Sequence, residues 1–516
     1  MTFNFAFKGA VAACLLALCQ ARAAVTVTID AARPGPVINK NVYGQFAEHL
    51  GAGIYGGLWV GPQSPIPNTR GWRKDVVGAL RDLQVPLVRW PGGCFADEYH
   101  WRDGIGAREH RLVKINTNWG GVAETNAVGT HEFFDLADQL GAQTYVNGNL
   151  GTGSVQEMAE WLEYMTGNAG SALAALRARN GHPAPFKVDF FAIGNEAWGC
   201  GGDMTAQTYA AQYRQYQSFL KAPSGARPKM IASGGTVDDS SWSDVLSREL
   251  KGRTTGISFH YYTMQNGTWE KMVEATGFGE DKWISTLVQT LRMDGFVRNN
   301  IAQLDKNDPE EKIGLLVDEW GTWYDVEPGT NPGFLYQQNT LRDAVVAALN
   351  FNIFHRYAER VTMTNIAQMV NVLQAMILTD KDRMILTPIY HAFHMYRPFQ
   401  DATSLPIAVE GDVPYRLGEM QVPGLSASAA RAKDGKLVLA LVNTHPGRPL
   451  EVAVNVNGQS VAGVSGRVLT AAAMDAHNTF AQPRAIEPAP YQAKASGGKL
   501  TLLLPPKSVV VVAAEQ

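Results

Sequence analysis

Two glutamates draw attention first. Glu196 closes the apolar run FFAIGNE and Glu319 closes GLLVDE. A pair of carboxyl groups, one giving a proton to a leaving oxygen and the other attacking carbon or activating water, is what hydrolysis of a glycosidic bond requires. A separation of about 5 to 5.5 Å would give retention and roughly 6.5 to 9.5 Å inversion. Sequence does not measure that distance. Either glutamate alone reads equally as a solvated loop carboxylate or a salt-bridged helix start; that both end apolar runs beside Asn or Trp favours chemistry. Asp318 competes with Glu319, because adjacent strand residues point to opposite faces and residue type does not choose between them. Arg89 can orient a carboxylate and keep it ionised, a role that overlaps with a structural ion pair. His260 suits a carboxylate contact, a hydroxyl contact or a satisfied core position. Tyr262 can donate to a nucleophile and Trp323 can stack on a sugar face; core packing serves each as well.

These residues need a frame that gathers them. Short apolar runs at 42–46, 85–89, 143–147, 188–193, 230–233, 257–260, 313–317 and 361–364 alternate with stretches such as 72–82, 131–140, 205–220 and 341–360 that carry helical periodicity. Eight strands, each followed by a crossover helix, predict an α/β fold, a (β/α)8 TIM barrel, over 41–396. Active sites of this fold form at the C-terminal strand ends. Those ends carry Glu48-His49, Arg89 to Cys94, Asn195-Glu196, His260 to Tyr262, Asp318-Glu319, and Asn365 with Gln368. From 397 to 516, strand-like runs at 437–442, 451–456, 468–472 and 500–512, separated by Gly, Pro and Asn-Gly, predict a C-terminal all-β sandwich. The alternation at 25–29 makes 24–40 a strand segment expected to join that sandwich.

Charged residues are 18% of the chain and the formal net charge is −3, so no electrostatic grip on nucleic acid or anionic membrane is expected. Twelve Trp, 17 Tyr and 20 Phe suit a neutral, sugar-like ligand, although most aromatics of a large domain are core. Lys8, the apolar run 11–18 and Ala21-Arg22-Ala23 read as a signal peptide over 1–23, and hence as export. Cys14 follows a lipobox-like Val11-Ala12-Ala13, but the apolar segment before it is too short for that reading. Removing such a leader leaves Cys94 and Cys200, either bridged or as two buried thiols. No HExxH or paired CxxC occurs, so neither a metal nor another cofactor is expected.

The runs NVYGQFAEHLG, IYGGLWV, LVRWPGGCFADEYHWRDGIG, FFAIGNEAWGCGG, SFHYY, VDEWGTWY and NIAQMVNVL resemble, in order and spacing, glycoside hydrolase family 51, the α-L-arabinofuranosidases. The match covers roughly 41–396, and the C-terminal part agrees in kind. The resemblance implies a retaining enzyme with Glu196 as acid/base and Glu319, rather than Asp318, as nucleophile. It places Glu48 and Asn195 on sugar hydroxyls, Trp323 and Gln368 in subsites, and Arg89, His260 and Tyr262 as the residues that position the carboxylates. Many relatives have Asn where this chain has Cys94; with Cys200 four residues after Glu196, the resemblance puts both cysteines at the mouth and implies a bridge between them. It also implies arabinose-containing plant cell-wall polysaccharides and oligosaccharides as substrates, and a homo-oligomer. Two readings compete: an endo-β-glucanase or β-xylosidase on the same barrel, and a carbohydrate-binding pseudoenzyme.

Overall fold

The computed structural model describes residues 25–515 apart from 169, 224–226, 270 and 497–499; the segment 1–23, read above as a leader, lies outside the described residues. Eight parallel strands close into a barrel: β1 Gly44–Phe46, β2 Leu87–Trp90, β3 Gln143–Gly148, β4 Phe190–Ile193, β5 Lys229–Ala232, β6 Gly256–Thr263, β7 Gly314–Thr322 and β8 Val361–Ile366. Pairing of Asn365 with Gly44 joins β8 to β1 and completes the ring. Leu87, Tyr145, Phe190, Ala192, Ile231, Leu316 and Met363 fill the interior as one buried cluster, the side-chain plug expected of an eight-stranded barrel. Helices cover the outside. The helix Leu341–Arg356 is buried along nearly its whole length and starts in a capping box, in which Thr340 caps the first turn and the Asp343 carboxylate accepts from the Thr340 N–H.

Strands β6 and β7 run past the expected ends at 260 and 317, so Tyr262, Asp318 and Glu319 lie within strands rather than after them, and His260 is a strand interior residue rather than its last. The ladder also slips: register shifts occur between Ser258 and His260 on β6, and between Val317 and Trp320 on β7 where it meets β8. Bulges of this kind re-aim side chains. Consequently Asp318 and Glu319 do not split between two environments as simple alternation predicts; both reach Arg89 and His260.

Beyond the last barrel helix, Pro388–Tyr396, the chain builds two large sheets and a short hairpin, Tyr415–Leu417 with Met420–Val422. One has six strands, with Leu437–Asn443 and Ser508–Glu515 at its centre; the other has four, Ile407–Glu410, Val25–Asp30, Leu450–Asn457 and Leu500–Leu504. Val25–Asp30 runs parallel to Leu450–Asn457. The run 500–512 is two strands in different sheets: Pro505 and Pro506 offer no N–H to a ladder, and Lys507 turns the chain at φ 44°. Val27, Ile29, Leu439, Leu441, Leu502, Val510 and Val512 form the apolar centre between the sheets.

Candidate active site

Five strand ends, those of β1, β2, β4, β6 and β7, bring the charged residues together. Arg89, at the end of β2, is 1% exposed and donates to Glu319 Oε1 at 2.8 Å, to the Asp318 carbonyl at 3.1 Å and to Asn195 Oδ1 at 2.6 Å. Burial works against its charge, but the facing Asp318 and Glu319 outweigh it and hold the guanidinium protonated. The other oxygen of Glu319, Oε2, accepts from the Tyr262 hydroxyl at 2.8 Å, so both carboxylate oxygens have donors. A phenol beside that carboxylate resists ionisation: burial first, and the Glu319 charge next, push the Tyr262 pKa well up.

His260 is the hub. Its Nδ1 lies 2.7 Å from Glu196 Oε1 and 3.5 Å from Glu319 Oε2, and its Nε2 lies 3.0 Å from Asp318 Oδ1. Burial disfavours the imidazolium, yet the Glu319 charge and the hydrogen bonds of Asp318 and Glu196 prevail and raise its pKa to about 10. Asp318 is the mirror case. Burial opposes its charge, but Arg89, His260 and the Tyr145 hydroxyl at 2.7 Å bring it down to about 2. Carboxylate oxygens of Glu196 and Glu319 and a ring nitrogen of His260 all lie within 4.8 Å of one another.

Glu196 stands on unusual backbone. Its φ is 38°, in the left-handed region that costs a non-glycine residue on the order of 1 to 3 kcal/mol. Its carbonyl accepts from the N–H of Gly199 at 2.7 Å and of Gly201 at 3.1 Å, which pins the turn. Four residues on, Cys200 is joined to Cys94 by a disulfide with Cα atoms 5.6 Å apart, tying the loop after β4 to the loop after β2.

Glu48, 3% exposed, forms the floor. Its Oε1 accepts from the N–H groups of Gly93 at 2.9 Å and Phe95 at 3.2 Å and from the Trp119 indole at 3.0 Å; its Oε2 accepts from the Gln368 amide at 2.9 Å. Burial, then the Glu319 charge, raise its pKa to about 7. Gly93 is required by space, since a Cβ there would stand 2.5 Å from Glu319 Oε1 and 3.4 Å from Asn195 Nδ2. Trp323 lies edge-on to Tyr262, with ring centroids 5.0 Å apart, and edge-on to Trp269 at the same distance. Every site residue singled out in the sequence therefore lies in one contact network around the ends of β1, β2, β4, β6, β7 and β8.

Three participants were missed. Asp97 accepts from the N–H groups of Leu150, Gly151 and Asn195 at 2.7 to 2.9 Å and so ties the loops after β2, β3 and β4; burial raises its carboxyl to about 7. Trp119 and Trp269 come from loops, where no periodicity marks a position. Asp97 stands inside the quoted FADEYHW run, and only its neighbours' backbone explains its task.

The barrel and its facing carboxylates define a class, the two-carboxylate (β/α)8 glycoside hydrolases. Residues 79–277 match the alpha-L-arabinofuranosidase 1 domain, and 318–508 the alpha-L-arabinofuranosidase C-terminal domain. An "Intracellular exo-alpha-L-arabinofuranosidase" of Bacteroides ovatus is 46% identical over 494 residues, 96% of each chain. The GH51 arabinofuranosidase structure from Xanthomonas axonopodis pv. citri is 50% identical with a TM-score of 0.93, covering 95% of this chain and 100% of that one. A thermostable GH51 alpha-L-arabinofuranosidase from Thermotoga petrophila is 30% identical with a TM-score of 0.84 over the same shares. The chain belongs to glycoside hydrolase family 51, the α-L-arabinofuranosidases. One expectation is corrected here: export does not stand, because the Bacteroides ovatus relative, matched almost end to end, is named intracellular. A lysine before a brief apolar run is a compositional signal only, and a relative matched over nearly the whole chain outweighs it.

Proposed function

We propose that in this retaining α-L-arabinofuranosidase Glu319 is the nucleophile and Glu196 the acid/base. The observation that carries the reading is that oxygens of the two carboxylates lie within 4.8 Å of each other beside His260, short of the roughly 6.5 to 9.5 Å that inversion needs and close to the spacing of double displacement. In the first step a Glu319 oxygen attacks the anomeric carbon while the Glu196 carboxyl gives its proton to the departing glycosidic oxygen. In the second, ionised Glu196 takes a proton from water, the water oxygen bonds to the anomeric carbon, and the bond to Glu319 breaks. Arg89 and Tyr262 hold the two oxygens of Glu319, which supports its role as an ionised, aimed nucleophile. Asn195 Oδ1 accepts from Arg89, and its amide nitrogen, whose contact with Cys200 Sγ is a long one of 3.9 Å, is assigned to a sugar hydroxyl. Glu48, with Gln368 and Trp119 on its carboxylate, takes further hydroxyls.

The substrates we assign are terminal, non-reducing arabinofuranosyl units of arabinoxylan, arabinan and their oligosaccharides, with Trp323 and Trp269 as stacking surfaces beyond the cleaved bond. Trp269 is 58% exposed, which suits a side chain waiting for a ligand rather than for a core. A homo-oligomer belongs to the same proposal, and light scattering of the purified protein tests it. Proton NMR of the first-formed sugar, with aryl α-L-arabinofuranoside and arabino-oligosaccharides in turn, tests the whole: the substrate's anomeric configuration should appear first. Cleavage of glucan or xyloside without turnover of arabinofuranoside would overturn the substrate assignment.

A further inference from the structure

The Cys94–Cys200 bridge lies directly against the carboxylate assigned to proton transfer. Cys200 Sγ is 3.5 Å and Cys94 Sγ 3.9 Å from Glu196 Oε2. A bridged sulfur has no proton to donate, so in the oxidised protein these are contacts with neither an ion pair nor a hydrogen bond. Their meaning changes once the bridge opens.

A tetrahedral zinc ion with Zn–S bonds of about 2.3 Å and a Zn–O bond of about 2.0 to 2.2 Å sets its sulfur and oxygen ligands about 3.5 to 3.7 Å apart, and two sulfurs about 3.8 Å apart. The sulfur-to-oxygen distances at this site already bracket the first value. The second is the separation two thiolates reach when they are no longer bonded, and backbones 5.6 Å apart at Cα allow it. Cys200 is exposed and Glu196 and Cys94 are half-buried, so an ion can enter from solvent. Two thiolates and one carboxylate are a donor set for a soft or borderline divalent cation, with water in the fourth position. The loops that carry them are fixed by other means: Glu196 by the Gly199 and Gly201 hydrogen bonds, and the loop after β2 by Asp97 and by Glu48, which grips Gly93 and Phe95.

We infer that the reduced enzyme carries a zinc-class metal site made of Cys94, Cys200 and Glu196, and that filling it stops catalysis by occupying the Glu196 carboxylate. The balance is simple. A dithiol reductant passes two electrons and two protons to the bridge, becoming a disulfide itself; the metal then displaces the two thiol protons. The metal site stands on the three side chains alone, whereas its effect on turnover rests on the acid/base reading of Glu196.

The test uses the full chain in a Cys14→Ser, Cys19→Ser background, so that only the two mouth thiols report. After reduction with dithiothreitol and anaerobic desalting, Co2+ should give thiolate-to-metal charge-transfer absorption that Zn2+ displaces. Zn2+ should then abolish hydrolysis of aryl α-L-arabinofuranoside, and a chelator should restore it; the oxidised protein should give no band and be at least tenfold less sensitive. Cys94→Ser and Cys200→Ser, each keeping one thiol, should bind at least tenfold more weakly, and Glu196→Gln should keep the band while binding more weakly. A reduced wild type without the band, or a band unchanged in both serine variants, would overturn the site. A band with hydrolysis untouched by Zn2+ would keep the site and remove Glu196 from proton transfer.

Discussion

At the barrel mouth Arg89, Asp318, Glu319 and Glu48 are almost fully buried with their charges facing one another, while in the sandwich Val27, Ile29, Leu441, Leu502 and Val510 are as deeply buried with hydrocarbon alone. Burying hydrocarbon is favourable by about 25 cal/mol per Å². Burying charge is costly unless each group is paired and hydrogen-bonded. The mouth also carries the left-handed Glu196, whereas the sandwich centre is regular paired strand. One region therefore gains stability from hydrocarbon, while the other concentrates paired charges whose main use is on a bound sugar. Changes at the mouth should appear in rate and pH dependence, and changes in the sandwich in stability.

The largest effect should follow removal of the nucleophile. Glu319→Ala should lower kcat on the order of 10⁴-fold or more with little loss of stability, and azide should restore product formation with altered stereochemistry, measured by steady-state kinetics and NMR. Next comes the proton donor. Glu196→Ala should cost roughly 10² to 10⁴-fold on polysaccharide and far less on aryl glycosides with good leaving groups, where acid assistance matters least. Equal losses on both substrates would contradict the assignment.

The sandwich should answer differently. Leu441→Ala leaves a cavity in a fully buried position and should cost about 2 to 5 kcal/mol in denaturant unfolding, with kcat unchanged where the protein is folded. A fall in kcat there would mean that the two regions are coupled, and the comparison would fail.

The smallest effect lies in the pH dependence of stability. His260 holds its proton to about pH 10 in the folded chain and to 6.5 when unfolded, so its contribution is complete below 6.5 and lost as pH rises toward 10. Glu48, raised from 4.5 to about 7, acts in the same direction lower down: the folded chain binds the extra proton, so stability falls as pH rises between those values. Asp318, lowered from 3.8 to about 2, stabilises above 3.8, and this is lost as pH falls toward 2. Unfolding midpoints across pH should decline on the alkaline side, and His260→Asn should flatten the part above 6.5.

Sequence carried the barrel because eight apolar runs and the intervening helical periods are local patterns. It brought Glu196 and Glu319 to one mouth because the C-terminal strand ends of this fold converge there. It could not carry the slipped register that turns Asp318 and Glu319 inward together, since a bulge depends on the partner strand. Nor did it reveal Asp97, whose partners are backbone N–H groups on two other loops. The 500–512 run misled for a related reason: hydrophobicity continues across Pro505-Pro506, but hydrogen bonding does not.

The central claim is that Glu319 is the atom source for the covalent intermediate and Glu196 its proton partner. Glu196→Ala, given an aryl α-L-arabinofuranoside with a good leaving group, should form the intermediate quickly and release it slowly. Mass spectrometry of the quenched, digested protein should then find one pentosyl unit on Glu319. The same unit on Asp318 or Glu48, or no adduct during turnover, would contradict the account.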